Sequence, residues 1–305
     1  MAAQQKMNSS VYRGRFAPSP TGPLHFGSLI AAVGSYLDAR HHHGKWLVRI
    51  EDLDTPRTVR GADRDILGTL EAFGLHWDES VVYQSRRTEA YDLAFQRIKE
   101  SGKAYPCACS RKEIADSAIL RGDEVVYPGT CRNGIAPGKS ARAWRLRVAD
   151  KRVSFSDSLQ GSISQELANE VGDFVVLRAD GLYAYQLAVV VDDAAQRITD
   201  VVRGADLLYS TPRQIYLQHL LGLRTPNYMH LPVVVNRRGE KLSKQNLAQP
   251  VSKDDAPRSL FDALVILRQQ PPAELKMGNT EQILAWAVAH WQPEALSRCS
   301  LLAAE

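Results

Sequence analysis

The stretch RFAPSPTGPLHFGSL, residues 15–29, lies where a predicted strand is followed by a predicted helix. Its prolines fix the backbone φ angle and remove backbone donors, so the connecting loop is expected to be stiff. Gly22 and Gly27 have no Cβ and let the backbone approach a ligand closely. The helix is expected to begin near Gly27, where its free N–H groups and positive dipole end favour phosphate.

The segments that flank this stretch complete a strand–helix–strand unit. LIAAVGSYLDARHHH, 29–43, carries apolar residues at helical spacing, and Gly44 is expected to end the helix. KWLVRIEDLD, 45–54, predicts a strand from Trp46 to Ile50 that ends in acidic residues. This order is typical of a parallel sheet flanked by helices, and we expect an α/β, Rossmann-like nucleotide-binding fold. Two further helices are predicted at 58–75 and 86–102.

A second stretch that could take part in catalysis lies far downstream. KLSK, 241–244, follows the last predicted strand in a glycine-containing turn, and Lys241 and Lys244 can close over a polyphosphate as two point charges. His25, at the edge of the first stretch, can donate a hydrogen bond to a phosphoryl oxygen. Taken alone, the first stretch is equally typical of a turn with a surface histidine. An exposed basic loop is the commoner role of a lysine pair such as the second. Together they favour nucleotidyl transfer.

The composition excludes some classes of protein. Of the 305 residues, 44% are hydrophobic and 24% are charged, which is ordinary for a globular protein. No apolar run is long enough to span a membrane, and residues 1–10 are polar and are expected to be a disordered lead, not a secretory signal. The excess of 38 basic over 34 acidic residues permits a nucleic-acid partner without requiring one. The cytoplasm is the expected location.

Three of the four cysteines lie close together in a stretch rich in glycine and proline. Cys107, Cys109 and Cys131 form a poor disulfide framework and a better zinc cluster, although a C-x-C spacing is less common in zinc sites than C-x2-C. The alternative is three buried thiols, and the remote Cys299 is expected to be a core thiol. The histidines of RHHHGK, 40–45, point in different directions on a helix, so we expect an exposed helix end and no metal site there.

The two special stretches resemble, in this order, the HIGH and KMSKS signatures of class I aminoacyl-tRNA synthetases. RFAPSPTGPLHFGS is similar to the glutamyl branch in particular, and EDLD and YQLAVVVDD…VVRGAD follow in the order seen there. The resemblance runs from Val11 to Asn246, and only Phe26 and Ser28 depart from the HIGH pattern, which has an aliphatic residue and a histidine there. It implies ATP as a substrate, with Mg²⁺. The ATP-binding residues implied in this way are His25, Gly27, Ser28, Lys241 and Lys244, of which His25 and Lys244 are implied to be catalytic.

Glutamate, the amino acid implied by this branch, carries two carboxylates and one ammonium, so its pocket needs cationic groups and one anionic group. The resemblance implies that the arginines hold the carboxylates, since a guanidinium fork suits them, and that Glu51 holds the ammonium. The implied glutamate-binding residues are Arg15, Ala17, Ser19, Glu51, Tyr185 and Arg203. Without the resemblance, Glu51 is better interpreted as a capping or surface acid and Tyr185 as a core aromatic residue.

The resemblance also bears on the metal and on the division into domains. It offers Tyr127, in YPGTC, as the fourth ligand of a structural zinc beside the three cysteines. No anticodon-binding domain is expected, because the segment after the lysine pair is too short for one. The expected regions are the lead at 1–10, a split Rossmann-like catalytic domain at 11–100 and 181–240, a zinc-containing insert at 101–180, and the lysine loop with a helical tail at 241–305.

Four short stretches narrow the resemblance within the glutamyl branch. HFGSL, CACSRKEI, YPGTCR and KLSKQN are similar to a truncated subfamily that transfers glutamate to the queuosine base at the wobble position of tRNA(Asp). The implied partners are glutamate, ATP and that tRNA, with no membrane and a monomeric enzyme. The alternatives are a truncated enzyme that charges a tRNA 3′ end, an inactive paralogue that binds RNA, and a small-molecule nucleotidyltransferase.

Overall fold

The computed structural model describes residues 11–117, 119–121, 124–235, 250–296 and 301–303. Within these ranges, no helix is both long and apolar enough to cross a membrane. The helices are α1 (Phe26–His41), α2 (Ala62–Ala72), α3 (Thr88–Glu100), α4 (Arg111–Ser117), α5 (Leu167–Glu170), α6 (Tyr185–Ala195), α7 (Thr211–Leu221), α8 (Ala256–Ile266) and α9 (Thr280–Ala289). The strands are β1 (Arg13–Phe16), β2 (Lys45–Ile50), β3 (Val82–Tyr83), β4 (Ala104–Cys107), β5 (Ile119–Arg121), β6 (Glu124–Val126), β7 (Ala143–Leu146), β8 (Arg152–Asp157), β9 (Gly161–Glu166), β10 (Phe174–Leu177), β11 (Asp200–Gly204), β12 (Asn227–Leu231), β13 (Val233–Val235) and β14 (Leu301–Ala303).

Parallel strands form the framework of the nucleotide-binding fold. β1 pairs with β2, β2 pairs with β3, and β11 pairs with β12, all in parallel. β1 and β11 meet where Thr199 N donates to Arg13 O at 3.0 Å and Arg13 N donates to Thr199 Oγ1 at 2.8 Å. The spatial order β3-β2-β1-β11-β12 reverses at β1, as in doubly wound sheets. The predicted α/β fold with a parallel sheet is confirmed.

Helix α1 connects β1 to β2 and is largely buried. Leu29, Val33 and Leu37 lie in the core, as the helical spacing predicted. The helix lies so close to β12 that a Cβ on Gly34 would be 2.5 Å from Cδ1 of Leu231. This close packing fixes α1, and therefore its N-terminus, against the strands that end beside it.

The segment expected to be an insert contains strands of two kinds. β4, β7 and β10 form an antiparallel sheet, and β5 pairs with β6 as a hairpin. β8 pairs with β9 in an antiparallel register and also meets β12 in parallel, with Asp157 opposite Tyr228. Because β12 belongs to the parallel framework, this segment also contributes a strand to the edge of that framework.

The described part of the C-terminal region is mostly helical, as expected. Helices α8 and α9 pack against the core formed around α1, and the buried Trp291 donates from Nε1 to Asp38 Oδ1 at 3.0 Å. One strand adds to the expected helices, since β14 pairs in parallel with β13. The histidines at 41–43 are exposed at the end of α1, as predicted. Cys299 lies outside the described residues.

Candidate active site

A cavity of about 710 Å³ lies at the carboxyl ends of β1, β2, β11 and β12. This is the edge at which open parallel sheets bind their ligands. Every predicted ATP-binding or glutamate-binding residue of the described part of the chain lines this one cavity. These residues are Arg15, Ala17, Ser19, His25, Gly27, Ser28, Glu51, Tyr185 and Arg203. Lys241 and Lys244 lie outside the described residues.

The loop between β1 and α1 is held by its neighbours through backbone hydrogen bonds. Glu51 N donates to Pro18 O at 2.9 Å, and Val59 N donates to Pro20 O at 2.9 Å. Gly22 has a φ angle of 136°, which side-chain-bearing residues rarely adopt. The stiffness that the prolines predicted is thus reinforced by two contacts, and one glycine has the conformational freedom the loop requires.

His25 forms the N-terminal cap of α1. Its Nδ1 accepts a hydrogen bond from Ser28 N at 3.2 Å, and its Nε2 lies 2.9 Å from Ser28 Oγ. Since Nδ1 is an acceptor, the neutral imidazole carries its proton on Nε2 and donates it to the serine hydroxyl. Ser28, which replaces the second histidine of the HIGH pattern, therefore fixes the ring of the first histidine at the helix N-terminus.

Arg15 is the first of two buried arginines in the cavity wall. Its Nε donates to Asp193 Oδ1 at 3.2 Å, and Nη2 lies 3.5 Å from Asp193 Oδ2. Asp193 also accepts from Arg49 Nη1 at 2.8 Å. Burial opposes ionisation of Asp193, but the charges of Arg15 and Arg49 lower its pKa below the usual range. This aspartate therefore holds both guanidinium groups beneath the cavity.

Glu51 has an unusual electrostatic setting for a carboxyl group. Its side chain is only 10% exposed, and Oε1 lies 3.5 Å from Arg49 Nη2. Burial raises its pKa to about 7, although the charges of Arg49 and Arg15 oppose the shift. At neutral pH the free site therefore holds a carboxyl group that is only partly ionised. A bound ammonium would add positive charge beside this group and favour its ionised form.

Arg203, on the neighbouring strand β11, makes four hydrogen bonds to side chains. Its Nη1 donates to Tyr185 Oη at 3.3 Å, and burial raises the pKa of that phenol, which keeps it neutral. Its Nη2 donates to Thr211 Oγ1 at 2.8 Å and to Gln214 Oε1 at 2.9 Å. Its Nε donates to His230 Nε2 at 3.1 Å. The guanidinium is therefore held on several sides, and the residue as a whole is 6% exposed.

The residues that hold these arginines, and those at the cavity mouth, were not predicted from the sequence. Asp193 and His230 interrupt the apolar runs LAVVVDD and YMHLPVVV, and a buried polar residue in such a run signals a paired group. At the mouth, Asp54 accepts from Arg57 Nε at 2.5 Å and lies 3.5 Å from Arg178 Nη1. No sequence spacing connects that last pair, since more than a hundred residues separate them.

The three clustered cysteines converge with Tyr127 on one point of the expected insert. The Sγ atoms of Cys107, Cys109 and Cys131 lie within 4.8 Å of one another, with 3.6 Å between the last two. Tyr127 Oη lies 3.5 Å from Cys107 Sγ and 3.6 Å from Cys109 Sγ. A tetrahedral zinc with Zn–S bonds of about 2.3 Å and a Zn–O bond of about 2.0 Å separates its ligands by roughly 3.5–3.8 Å. The donor set therefore fits zinc, and the three thiols could hold a metal ion.

Arg145 contacts two members of this cluster, Tyr127 and Cys107. Its guanidinium lies 3.7 Å from the centre of the Tyr127 ring, and its Nε lies 3.4 Å from Cys107 Sγ. Burial opposes ionisation of Cys107, but hydrogen bonds from Tyr127 and Arg145 lower the pKa of this thiol. A lowered thiol pKa favours the thiolate, the form that binds metals.

Comparison with known proteins assigns this fold and site to a class of enzymes. Residues 11–287 match the family described as tRNA synthetases class I (E and Q), catalytic domain. Among solved structures, a glutamate tRNA ligase from Elizabethkingia meningosepticum aligns with a TM-score of 0.79 at 22% identity, over 97% of this chain and 67% of that one. The glutamate-tRNA synthetase from Elizabethkingia anophelis aligns with a TM-score of 0.77 at 23% identity, over 95% and 67%. These likenesses confirm the fold.

Similar sequences narrow the assignment. Three proteins named glutamyl-Q tRNA(Asp) synthetase come from Aromatoleum aromaticum, Dechloromonas aromatica and Pseudomonas aeruginosa. The first is 62% identical over 92% of this chain and 89% of its own length, and the second is 60% identical over 96% and 98%. The third is 52% identical over 97% and 99%. The chain therefore belongs to the glutamyl-Q tRNA(Asp) synthetase family of class I tRNA synthetases, and it is a ligase. The predicted family is confirmed.

Proposed function

We propose that this protein activates glutamate with ATP as glutamyl-adenylate and transfers the glutamyl group to the queuosine base at the wobble position of tRNA(Asp). Class I synthetases use ATP, and the related proteins carry the name of this reaction. The observation that carries the proposal is the charge pattern of the cavity. Two buried arginines, Arg15 and Arg203, and one carboxyl, that of the largely buried Glu51, line it together, which matches the two carboxylates and one ammonium of glutamate.

The proposed glutamate site uses the groups already fixed by the fold. Arg15 and Arg203 each offer N–H donors to a carboxylate, and Tyr185 lies beside the second arginine. Glu51 accepts the ammonium, whose charge favours the ionised form of this carboxyl. Ser19 and the backbone of Ala17 complete the pocket. Because the arginines are already paired with protein groups, little reorganisation is needed when the amino acid binds.

The proposed activation step joins glutamate to the α-phosphate of ATP. An oxygen of the α-carboxylate attacks the α-phosphorus, the bond to the bridging oxygen of the β-phosphate breaks, and pyrophosphate leaves. Negative charge grows on the phosphoryl oxygens beside His25, Gly27 and Ser28 at the start of α1, where the positive end of the helix dipole stabilises it. Lys241 and Lys244 are proposed to bind the leaving pyrophosphate, and Mg²⁺ is proposed to accompany ATP.

The proposed transfer step is an acyl transfer to RNA. A nucleophile of the modified base attacks the carbonyl carbon of the glutamyl-adenylate, the bond between this carbon and the phosphate oxygen breaks, and AMP leaves. The two arginines keep the glutamyl group in place between the steps. Arg57 and Arg178 both contact Asp54 at the mouth of the cavity, and Arg178 Nη2 also donates to Asp180 Oδ2 at 2.6 Å. Their remaining N–H groups are proposed to donate to an RNA phosphate.

The zinc site is proposed to have a structural role. Cys107, Cys109, Tyr127 and Cys131 would hold the ion, which would cross-link a segment with few apolar contacts of its own. We place it in the proposed insert at 101–180, between the two parts of the proposed catalytic domain at 11–100 and 181–240. The proposed tail begins at 241.

A transfer assay with labelled glutamate and ATP tests this function. It compares tRNA(Asp) with queuosine, the same tRNA without queuosine, and tRNA(Glu). Label only on the first supports the proposal, whereas label on tRNA(Glu) indicates an enzyme that charges a 3′ end. Absence of label from all three, with glutamate-dependent pyrophosphate exchange intact, would support the activation site but show that the proposed acceptor is incorrect. Absence of exchange as well would favour an inactive RNA-binding paralogue.

A further inference from the structure

Behind Arg203 lies a buried pair of residues that does not reach the cavity wall. Asp157 ends β8 and His230 lies near the end of β12, and the side chains of both are 0% exposed. His230 Nδ1 lies 2.6 Å from Asp157 Oδ2, and His230 Nε2 lies 3.1 Å from Arg203 Nε. The three side chains thus connect the end of β8 to the cavity.

The hydrogen bonds among these side chains fix the proton of His230. The Nε of an arginine can only donate, so His230 Nε2 must accept, and the proton of a neutral ring then lies on Nδ1 and is donated to Asp157. Burial and the nearby charge of Arg203 lower the pKa of His230, which keeps the ring neutral. Asp157 is ionised in this arrangement, since hydrogen bonds from His230 and from backbone N–H groups lower its pKa despite burial.

The position of the imidazole is itself restrained. Its ring stacks on Tyr228 with 6.1 Å between centroids and an interplanar angle of 14°, and Phe155 lies 6.4 Å away on its neighbouring strand. Asp157 Oδ1 accepts from the backbone N–H groups of Leu159, Gln160 and His230 at 3.0, 2.9 and 3.2 Å. A rigid acceptor therefore faces Arg203 Nε.

A guanidinium has five N–H groups, and the described residues accept four of those of Arg203. His230 accepts from Nε, Thr211 and Gln214 accept both protons of Nη2, and Tyr185 accepts one proton of Nη1. The fifth N–H is on Nη1, the nitrogen that faces the tyrosine of the cavity wall. Since the guanidinium is planar, the acceptor at Nε sets the direction of that remaining donor.

We propose that His230 and Asp157 are positioning residues that orient Arg203 toward the amino-acid substrate. This inference rests on the proposed role of the cavity in glutamate binding. It assigns a function to the contact between β8 and β12, because Asp157 comes from the segment that also carries the cysteine cluster. Neither residue touches the substrate, so their replacement should act on glutamate and leave ATP unaffected.

Two histidine variants test separately the hydrogen bonds made by the two nitrogens of the imidazole. His230→Asn keeps an N–H donor for Asp157 but is too short to offer an acceptor to Arg203, whereas His230→Gln can place an amide oxygen near the former Nε2. In glutamate-dependent pyrophosphate exchange, we expect His230→Asn to raise KM for glutamate by about 10-fold to 100-fold with KM for ATP unchanged. His230→Gln should recover most of this loss.

An aspartate variant tests the same hydrogen bonds without changing the histidine. In Asp157→Asn, the three backbone N–H groups require the amide oxygen on their side, so the amide NH₂ faces His230 Nδ1. The imidazole must then accept at Nδ1 and carry its proton on Nε2, where it repels Arg203 Nε–H. We expect a raised KM for glutamate, and ¹⁵N NMR of the ring should show the proton on Nδ1 in the wild type and on Nε2 in the variant.

Two controls make the outcomes distinguishable. Tyr105→Phe removes a buried hydroxyl that donates to Asp173 at 2.7 Å and is not part of the cavity lining, so it should lower stability without changing KM for glutamate. Arg203→Leu should abolish glutamate-dependent exchange, and normal exchange in that variant would overturn the proposed glutamate site itself. If Arg203→Leu is inactive but His230→Asn and Asp157→Asn keep a normal KM for glutamate, or raise both KM values together, the positioning role is overturned.

Discussion

Replacing Glu51 by glutamine should stabilise the free protein while removing its ability to bind glutamate. The glutamine is equal in size and cannot ionise. In the wild type the carboxyl has a pKa of about 7 because it is buried, against an ordinary value near 4.5 in the unfolded chain. A group whose folded pKa is raised makes the folded state less stable as pH rises from the unfolded pKa to the folded one.

The size of the effect follows from this difference in pKa. The difference of about 2.5 units corresponds to about 3 kcal/mol at full ionisation, and to about 2.5 kcal/mol between pH 5 and pH 8. The difference in the free energy of unfolding between Glu51→Gln and wild type should therefore increase by about 2.5 kcal/mol from pH 5 to pH 8. For a chain of 305 residues this corresponds to a difference of about 4 °C in Tm.

Urea denaturation at pH 5, 6, 7 and 8, followed by tryptophan fluorescence, measures this difference directly. The matched control is Glu100→Gln, which makes the same substitution at an exposed glutamate at the end of α3. Addition of glutamate should stabilise the wild type and not Glu51→Gln. A stability difference that stays constant from pH 5 to pH 8 would refute the argument, since Glu51 would then be equally ionised in the folded and unfolded states.

Three further predictions concern the lysine pair, the cysteine cluster and helix packing. Lys244→Ala should slow glutamate-dependent pyrophosphate exchange by about tenfold or more, because it removes a charge that stabilises the transition state. Cys131→Ser should lower zinc content, measured by metal analysis, together with Tm, and Tyr127→Phe should do so to a smaller extent because three thiolates remain. Gly34→Ala should destabilise the fold by about 1 kcal/mol in urea denaturation, since its Cβ would lie 2.5 Å from the buried Leu231. Gly68→Ala should instead stabilise the fold by up to about 1 kcal/mol, since its Cβ would come no closer than 3.4 Å to another residue, at Lys253 Nζ.

Each of these predictions has an outcome that contradicts it. Unchanged exchange in Lys244→Ala would remove this residue from the activation step. Full stability and activity of a zinc-free protein would exclude a structural metal. Equal effects of the two alanine substitutions would show that α1 can move away from β12 without loss, contrary to the close contact at Gly34.

The sequence alone predicted the framework well, because its signals are local. Each signal is contained in one short stretch of sequence: the prolines and glycines of 15–29, the helical spacing of α1, and the acidic residues after β2. The resemblance then selected side chains that the structure places around one cavity, among them Arg15, Glu51 and Arg203. Their roles in binding and catalysis stay predictions.

The remaining features depend on contacts between distant segments. The pairing of β8 with β12 joins Asp157 to residues some seventy positions downstream, and the alternation of β8 contains no information about its partner. Asp193 and His230 were visible as polar residues within apolar runs, but their partners, three arginines and an aspartate, could not be chosen without the fold. The raised pKa of Glu51 likewise arises from burial, which a sequence does not give.

The junction of β1 with β11 has a consequence for the synthesis of the chain. The residues it joins, Arg13 and Thr199, are 186 positions apart, and closing so long a loop costs on the order of 5 kcal/mol in chain entropy. At about 5–20 residues per second, the ribosome needs roughly ten to forty seconds to make the second strand after the first. During this time the apolar faces of β1 and α1 lack their partner and are candidates for chaperone binding. Since Arg15 and Arg203 lie on either side of the junction, a ligand that requires both would bind only to chains in which it has closed, and so would report completed folding.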